Sequence, residues 1–493
     1  MALDPRTPIL VGAGTSMQRF DDPRDGVDVI ELMTTAVRNA AADAGGRSLL
    51  DRVGLVLSMK GMWPYADPAG LVSSNVGLPD PHTVTVAPGV IQTSVFARAL
   101  DDLQSGKYDG ALVIGGEAKF SELRASILGV EAPAATEPTG AHSRESWNAL
   151  PGIIGPRELA LGLRQATHYY AMIENARRAL DEQSLDDHAR VVARLWADFN
   201  VIGQSNPQAW NRQPMSADDI RVPTPKNRPL AYPYNKWHNS QWNVDQAGAL
   251  LFTTVGVAEA CGVPTDRWLF PHAIANSQYC VPVSERAEIA RSPGFKLAGR
   301  AAFAHAHATT DDVAHIELYS CFPIAVRTQM LELGLAPGRQ VTESGGMTWA
   351  GGPLNNWVVQ ALAKMADVLR ADAGSLGLVT AISGWITKQG VSLWSTNPPA
   401  LPYRSIDVTE DARAATGLRE VVDATDTEAT VATYTVIYDE KQPGGRRGIV
   451  IGDLDDGRRV LVTTEDDVVV DSMTSEEWCG RRVRVAPGER LVG

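Results

Sequence analysis

Residues 82–120, HTVTVAPGVIQTSVFARALDDLQSGKYDGALVIGGEAKF, decide how this chain is read. HTVTV has the make-up of an extended strand, and VFARALDDLQSG places apolar and small residues at helical spacing up to Gly106. DGALVIGG is an unbroken apolar run of strand length that ends in Gly115-Gly116-Glu117. Strand, helix and fully buried strand in that order predict a mainly parallel sheet covered on both faces.

Working outward, PILVGAG at 8–14 predicts a buried strand leaving through a glycine turn, and VDVIELMTTAVRNAAADAGG predicts a helix closed by Gly45-Gly46. The opening GxG lacks a third glycine at nucleotide-binding spacing, because Met17 stands there, so it reads as a tight turn and not a phosphate cradle. VGLVLSMKG supplies another strand. Residues 119–244 change character: a long helix is expected near 157–182, and Trp147, Trp196, Trp210, Trp237 and Trp242 fall in loop-like sequence. This stretch reads as an excursion folded over the sheet, where a substrate could lie.

The alternating pattern returns with VDQAGALLFTTVGVAEACG, strands in WLFPHAIA and HIELYSCF, the glycine-rich SGGMTWAGGPLNN, and a helix to about Arg370. GLVTAISGWI and GVSLWST close it as two short strands. An alternating unit, an excursion and a second alternating unit suggest a duplicated fold. Prolines in NPPALPYRS, 397–405, predict a linker. Beyond it the period becomes two in TVATYTVIYDE, RRGIVIGDL, RRVLVTTE and RRVRVAP, with a hairpin signal at Asp456-Gly457. A separate small antiparallel β-barrel of five or six strands is expected. The boundaries expected are 1–118 with 245–270, the excursion 119–244, a second half 271–402, and the barrel 403–493.

The 493 residues carry a net charge of -13, which argues against a nucleic-acid backbone or an anionic membrane surface as the main partner. Arg446-Arg447, Arg458-Arg459 and Arg481-Arg482 are offset by Glu465, Asp466 and Asp467 and read as solvated surface. Cys261, Cys280, Cys321 and Cys479 show no CxxC pairing, so neither a disulfide framework nor a zinc knuckle is expected, and a reducing cytoplasm fits best. No run of 18 apolar residues predicts a membrane span, and the N-terminal apolar run is too short for a signal peptide. His305 and His307 in AFAHAHATT alternate as on a strand or turn and lack a third ligand at metal spacing; no metal site is expected.

Four separated motifs give the chain a family likeness: TPILVGAGTS, the Gly106 to Glu117 stretch, YSCF at 319–322, and SGGMTWAGGP followed by TAISGW. Over about residues 1–402 it resembles the thiolase superfamily, near the sterol carrier protein thiolases, and the barrel resembles the extra C-terminal domain of mycobacterial-type thiolase-like proteins. The resemblance implies a five-layered α/β/α/β/α fold of two similar halves with a loop subdomain, followed by the barrel.

Thiolases work beside a thioester with an acylated cysteine, a histidine in a GHP turn, a second cysteine in a CxG turn, and an Asn or His that helps build an oxyanion hole. Carried over residue by residue, the resemblance places Gly89 near the nucleophile, Gly352 at the activating histidine, Ala381 about where the second cysteine belongs, and Tyr319 at the Asn or His. It implies a protein of the acetyl-CoA acetyltransferase family that binds a CoA thioester, holds no permanent cofactor, and lacks ordinary thiolase activity. The alternative is a non-covalent carbon–carbon lyase of retro-aldol type using Tyr319, as in thiolase-like lyases that work with a barrel-containing partner. Arg228 and Lys236, in RPLAYPYNKW, lie in the region over which CoA lies in the resembling enzymes. Cys321 opens a helix whose N-terminus favours a thiolate, yet packing is its expected role. The ligand expected is an acyl-CoA-like molecule in lipid or sterol metabolism, with a partner protein in view and a monomer or dimer as the assembly.

Overall fold

The computed structural model describes residues 3–439 and 445–492. Its first sheet has six strands in the spatial order Pro8–Met17, Asp245–Thr254, Gly110–Ala118, Val53–Met59, His82–Val86 and Glu145–Trp147. Asp245–Thr254 runs antiparallel to both its neighbours while the other three pairings are parallel, so five of the six strands run one way, the mainly parallel sheet expected, with one antiparallel strand inside it. Every residue of Asp245–Thr254 is buried, as expected of a strand covered on both faces. The short strand Glu145–Trp147, from the excursion, covers the far edge of this sheet.

The second sheet has five strands, Val313–Glu317, Leu376–Ser383, Lys388–Ser395, Phe270–Ser277 and Arg404–Asp407. Arg404–Asp407 pairs in parallel with Phe270–Ser277, so the expected linker at 397–405 gives way to a strand of this sheet. Helices Gln92–Gln104 and Trp357–Ala371 contact strands of both sheets, Val29–Asp43 packs on the first sheet and Pro293–Ala306 on the second. These are the five layers.

The glycines of PILVGAG make no turn. Gly12 and Gly14 lie within Pro8–Met17, where a Cβ would overlap the carbonyl oxygens of Ala40 and Ala36, so they let Val29–Asp43 pack directly on the strand. The excursion is more helical than expected. The helix near 157–182 is two, Pro156–Ala160 and Ala166–Leu180, and Leu185–Ser205 follows with Trp196 buried at its middle. His305 and His307 end the helix Pro293–Ala306; they are not on a strand.

The C-terminal region is a closed five-stranded β-barrel in which Thr427–Tyr438 pairs with Arg446–Asp453 on one side and Arg482–Ala486 on the other. Arg459–Thr464 and Arg490–Val492 complete the ring, and their mutual pairing is parallel while the other four are antiparallel. Closure removes the exposed edges of a small sheet. Tyr434, Val436, Val450, Val462 and Trp478 are in its core. The hairpin Pro229–Ala231 with Tyr234–Asn235, from the excursion, joins the barrel through Ala231 and Ile437.

Candidate functional site

The strand His82–Val86 ends in a turn held by backbone: Ala87 N donates to Trp147 O at 2.9 Å and Lys60 N to Val86 O at 2.9 Å. Asn355 Nδ2 adds a bond to Val86 O at 3.2 Å. Within this turn Gly89 has φ +97°, in the left-handed region, and a Cβ there would lie 2.9 Å from Ala149 Cβ. A side chain at 89 is therefore both strained and obstructed.

The Gly89 carbonyl accepts hydrogen bonds from Ser383 Oγ at 3.3 Å and Lys388 Nζ at 3.1 Å. Both donors flank the tight turn between Leu376–Ser383 and Lys388–Ser395, in which Gly384, Trp385 and Ile386 have φ +60°, +54° and +70°. A β-branched residue in that region is an outlier that the surroundings must enforce. Trp385 is held by stacking on Tyr169, ring centroids 4.9 Å apart and 6° from parallel, and by its edge contact with Tyr170. Lys388 is the only buried lysine among the described residues. Its second partner is Leu150 O at 3.4 Å, and burial lowers its pKa while a Cys280 thiolate would raise it.

Sequence reasoning passed over Lys388 because TKQG carries no signal by itself. Burial of its strand, KQGVSLWS, comes from neighbours on both sides, Leu376–Ser383 and Phe270–Ser277.

Tyr319 follows the strand Val313–Glu317, and its backbone is pinned at both ends: its N–H donates to Thr380 Oγ1 at 2.8 Å and its carbonyl accepts from Gln329 Nε2 at 2.8 Å. Its ring is buried, and desolvation pushes the phenol pKa well up, so Tyr319 stays protonated as a hydrogen-bond donor. Two residues on, burial raises the Cys321 thiol to about 12 despite its hydrogen bond with Tyr170. A helix N-terminus does not make Cys321 a thiolate; Phe322 is the cap residue of Pro323–Leu333, and Cys321 is packed.

Gly352 N donates to Gln241 O at 2.9 Å, and a Cβ on Gly352 would lie 3.2 Å from Ser240 Cβ, whose own N–H donates to Cys321 O at 3.0 Å. Ala381 is buried opposite Gly390, one residue from Thr380 and two from Ser383. The strand Leu376–Ser383 thus reaches Gly89 through Ser383 and Tyr319 through Thr380, and Ser240 lies between Cys321 and Gly352. Arg228 and Lys236 stand at the two ends of a hairpin, joined by Lys236 N to Arg228 O at 2.9 Å. Lys236 Nζ lies 4.9 Å from the Trp237 ring centroid, and Trp237 stacks on Trp349.

Two roomy cavities lie elsewhere. One of about 200 Å³ is lined by Met17, Gln246, Trp357 and Lys364, and one of about 580 Å³ by Arg164, His168, Leu230 and Arg447. Among the described residues, no helix is long and apolar enough to cross a membrane.

Residues 410–490 match the family model described as "Thiolase-like protein type 1 additional C-terminal domain". A crystal structure of a monomeric SCP2-thiolase like protein type 1 from Mycobacterium smegmatis superposes with TM-score 0.84 at 28% identity, covering 100% of both chains. Over its whole length the chain is similar to a thiolase-like protein of type 1, and residues 410–490 match that type's additional C-terminal domain. Two further structures share the thiolase-like fold at lower identity. An Ltp2-ChsH2(DUF35) aldolase has TM-score 0.57 and 18% identity over 80% of this chain and 99% of its own. The dimeric peroxisomal thiolase of Saccharomyces cerevisiae has TM-score 0.57 and 14% identity over the same shares. No curated protein matches the chain. In this thiolase-like protein the barrel is joined to the body by buried bonds: Asn175 Nδ2 to Tyr434 O at 2.8 Å and Arg459 to the Ser284 carbonyl at 3.1 Å.

Proposed function

We propose that this thiolase-like protein binds a CoA thioester and does not carry out acyl transfer through a cysteine. The observation that carries the reading is Gly89. A nucleophile there would need a side chain where φ is +97° and where Ala149 already stands 2.9 Å from the Cβ position. Gly352 and Ala381 supply no base, and Cys321, held up to about 12, supplies no thiolate. Loss of a nucleophile from a coupled catalytic unit costs about 10⁶ in rate. Arg228 and Lys236, with Trp237 beside the latter, suit the phosphates and base of a nucleotide.

The test is calorimetric titration of the full chain with acetyl-CoA and acetoacetyl-CoA, alongside an assay of thiolytic cleavage. Binding without cleavage is expected. Failure of both thioesters to bind removes the ligand reading, and cleavage at the rate of ordinary thiolases removes the other half.

A second reading rests on Tyr319. Its buried, protonated hydroxyl suits an acid that holds the enolate oxygen of a thioester as a β-hydroxyacyl chain is cut. The β-hydroxyl gives up its proton, the Cα–Cβ bond breaks, a carbonyl compound leaves, and carbon is reprotonated. The aldolase among the structural neighbours shares the fold. Release of an aldehyde or ketone from a β-hydroxyacyl-CoA, lost in Tyr319→Phe while binding persists, supports this second reading; no release sinks it.

A further inference from the structure

Lys388 has an unusual setting for an amine. It is buried, and its bonds are to two backbone carbonyls, Gly89 O at 3.1 Å and Leu150 O at 3.4 Å, with no carboxylate among the described residues in an ion pair with it. The lysines at 60, 107, 226 and 296 are exposed, and Lys107 and Lys119 have carboxylate partners. An ammonium buried without a counter-charge responds by shedding its proton more readily, and burial lowers the pKa of Lys388. The neutral amine is the nucleophilic form.

Two geometric facts place this amine at a site. Nζ touches the carbonyl of Gly89, in the turn where the thiolase-like body has no side chain. The turn that presents it holds Trp385 and Ile386 at positive φ, a strain that the aromatic stacking on Tyr169 maintains. Lys388 itself has no exposed surface, while Leu150 and Pro88, at and next to its carbonyl partners, are exposed, and Gly89, Cys280 and Ser383 are half-buried.

We infer that Lys388 is a nucleophilic amine that condenses with the keto group of a β-dicarbonyl compound, the class that includes 3-oxoacyl chains. The Nζ lone pair attacks the carbonyl carbon, a C–N bond forms, and the carbonyl oxygen takes up a proton. The carbinolamine takes up a second proton and loses that oxygen as water, and the resulting iminium gives up a proton to water from the carbon between the two carbonyls, leaving a neutral conjugated enaminone. No oxidant or metal enters the balance. The inference goes beyond CoA binding and does not depend on it.

The probe is 2,4-pentanedione, which needs no CoA site and whose condensation with an amine, with loss of one water, leaves a conjugated enaminone visible in the near ultraviolet. Native full-length protein at neutral pH is expected to gain one such adduct, mapped to the peptide that contains Lys388. It should form at least about tenfold faster than adducts at the exposed Lys60, Lys107 or Lys226. Lys388→Met should remove the fast adduct and leave the slow ones. If that variant does not fold, the peptide map of the native protein decides alone. Label spread over exposed lysines with residue 388 unmodified overturns the inference. An adduct at Lys388 without CoA binding would refute only the proposal of a CoA ligand, and CoA binding without the adduct would refute only this one.

Discussion

At the Gly89 turn the backbone is held by Trp147, Lys60 and Asn355 while no side chain is presented, whereas at the seam between barrel and body the chain commits large buried charges to contact. Arg178, with no exposed surface, donates to both oxygens of Glu477 at 2.9 and 2.8 Å, to Tyr434 Oη at 3.0 Å, and to Asn175. Beside it, buried Glu174 accepts from His188 at 3.0 Å, Tyr234 at 2.5 Å and Arg327. Burial opposes the charge of Glu174, but Arg327, His188 and Tyr234 outweigh it and hold the carboxyl down at about 2. The difference teaches where fixed polar chemistry is placed in this protein: where barrel and body join it is carried by paired buried charges, and at the Gly89 turn by Asn355, Ser383 and Lys388 bonding to backbone carbonyls.

The largest effect expected is at the seam. Arg178→Ala leaves Glu477 and Tyr434 without their partner and should cost about 3–5 kcal/mol in denaturant unfolding. A loss below about 1 kcal/mol would show that the seam is not held by this charge and would break the comparison. Next comes Gly89→Cys, expected to cost about 1–3 kcal/mol because it forces a side chain into the left-handed region against Ala149, and to restore no thiolysis. Measured thiolysis in that variant would show that the turn remains competent and that only the sulfur was missing.

A smaller effect concerns Glu117 and Glu317. Burial raises both from 4.5 to about 7, with amide donors such as Met62 N for Glu117 and Glu343 N for Glu317 opposing it. A folded-state pKa above the unfolded value means the folded protein keeps protons that the unfolded chain has released. These groups therefore favour folding below about pH 4.5 relative to neutral pH, and their contribution falls as pH rises from about 4.5 to about 7. Melting curves across that window should fall less steeply for Glu117→Gln than for the parent; equal slopes would show that Glu117 is ionised throughout. The smallest effect is at the barrel surface. Arg482 pairs with Glu428 at 2.9 Å and Asp455 at 2.6 Å in the open, and Arg482→Ala should leave the melting temperature unchanged within error. A drop as large as that of Arg178→Ala would erase the contrast between seam and surface.

Much of this architecture was legible in residue patterns. The run DGALVIGG is the buried strand Gly110–Ala118, VFARALDDLQ lies in Gln92–Gln104, and Asp456-Gly457 marks a turn with Gly457 at φ +87°. The helix Leu185–Ser205 was missed, with Trp196 read as loop-like sequence, although Ser184, whose side chain accepts from Asp187 N, caps its start. Other features were not. Gly12 and Gly14 look like a turn, and only the approach of Ala36 and Ala40 explains them. Arg459 reads as half of a solvated basic pair, yet it is buried and donates to backbone carbonyls of Ser284 and Arg286.

The sequence by itself determined the alternation that builds two layered sheets, the period-two barrel, and the residue types at 89, 319, 352 and 381, because periodicity and identity are local properties of the chain. Only the tertiary structure decided that Asp245–Thr254 and Arg404–Asp407 complete the two sheets, that Glu145–Trp147 covers an edge, and that Lys388 lies buried against Gly89. Pairing, burial and the pKa shifts that follow from burial depend on segments far apart in sequence, and no local pattern records which of them will meet.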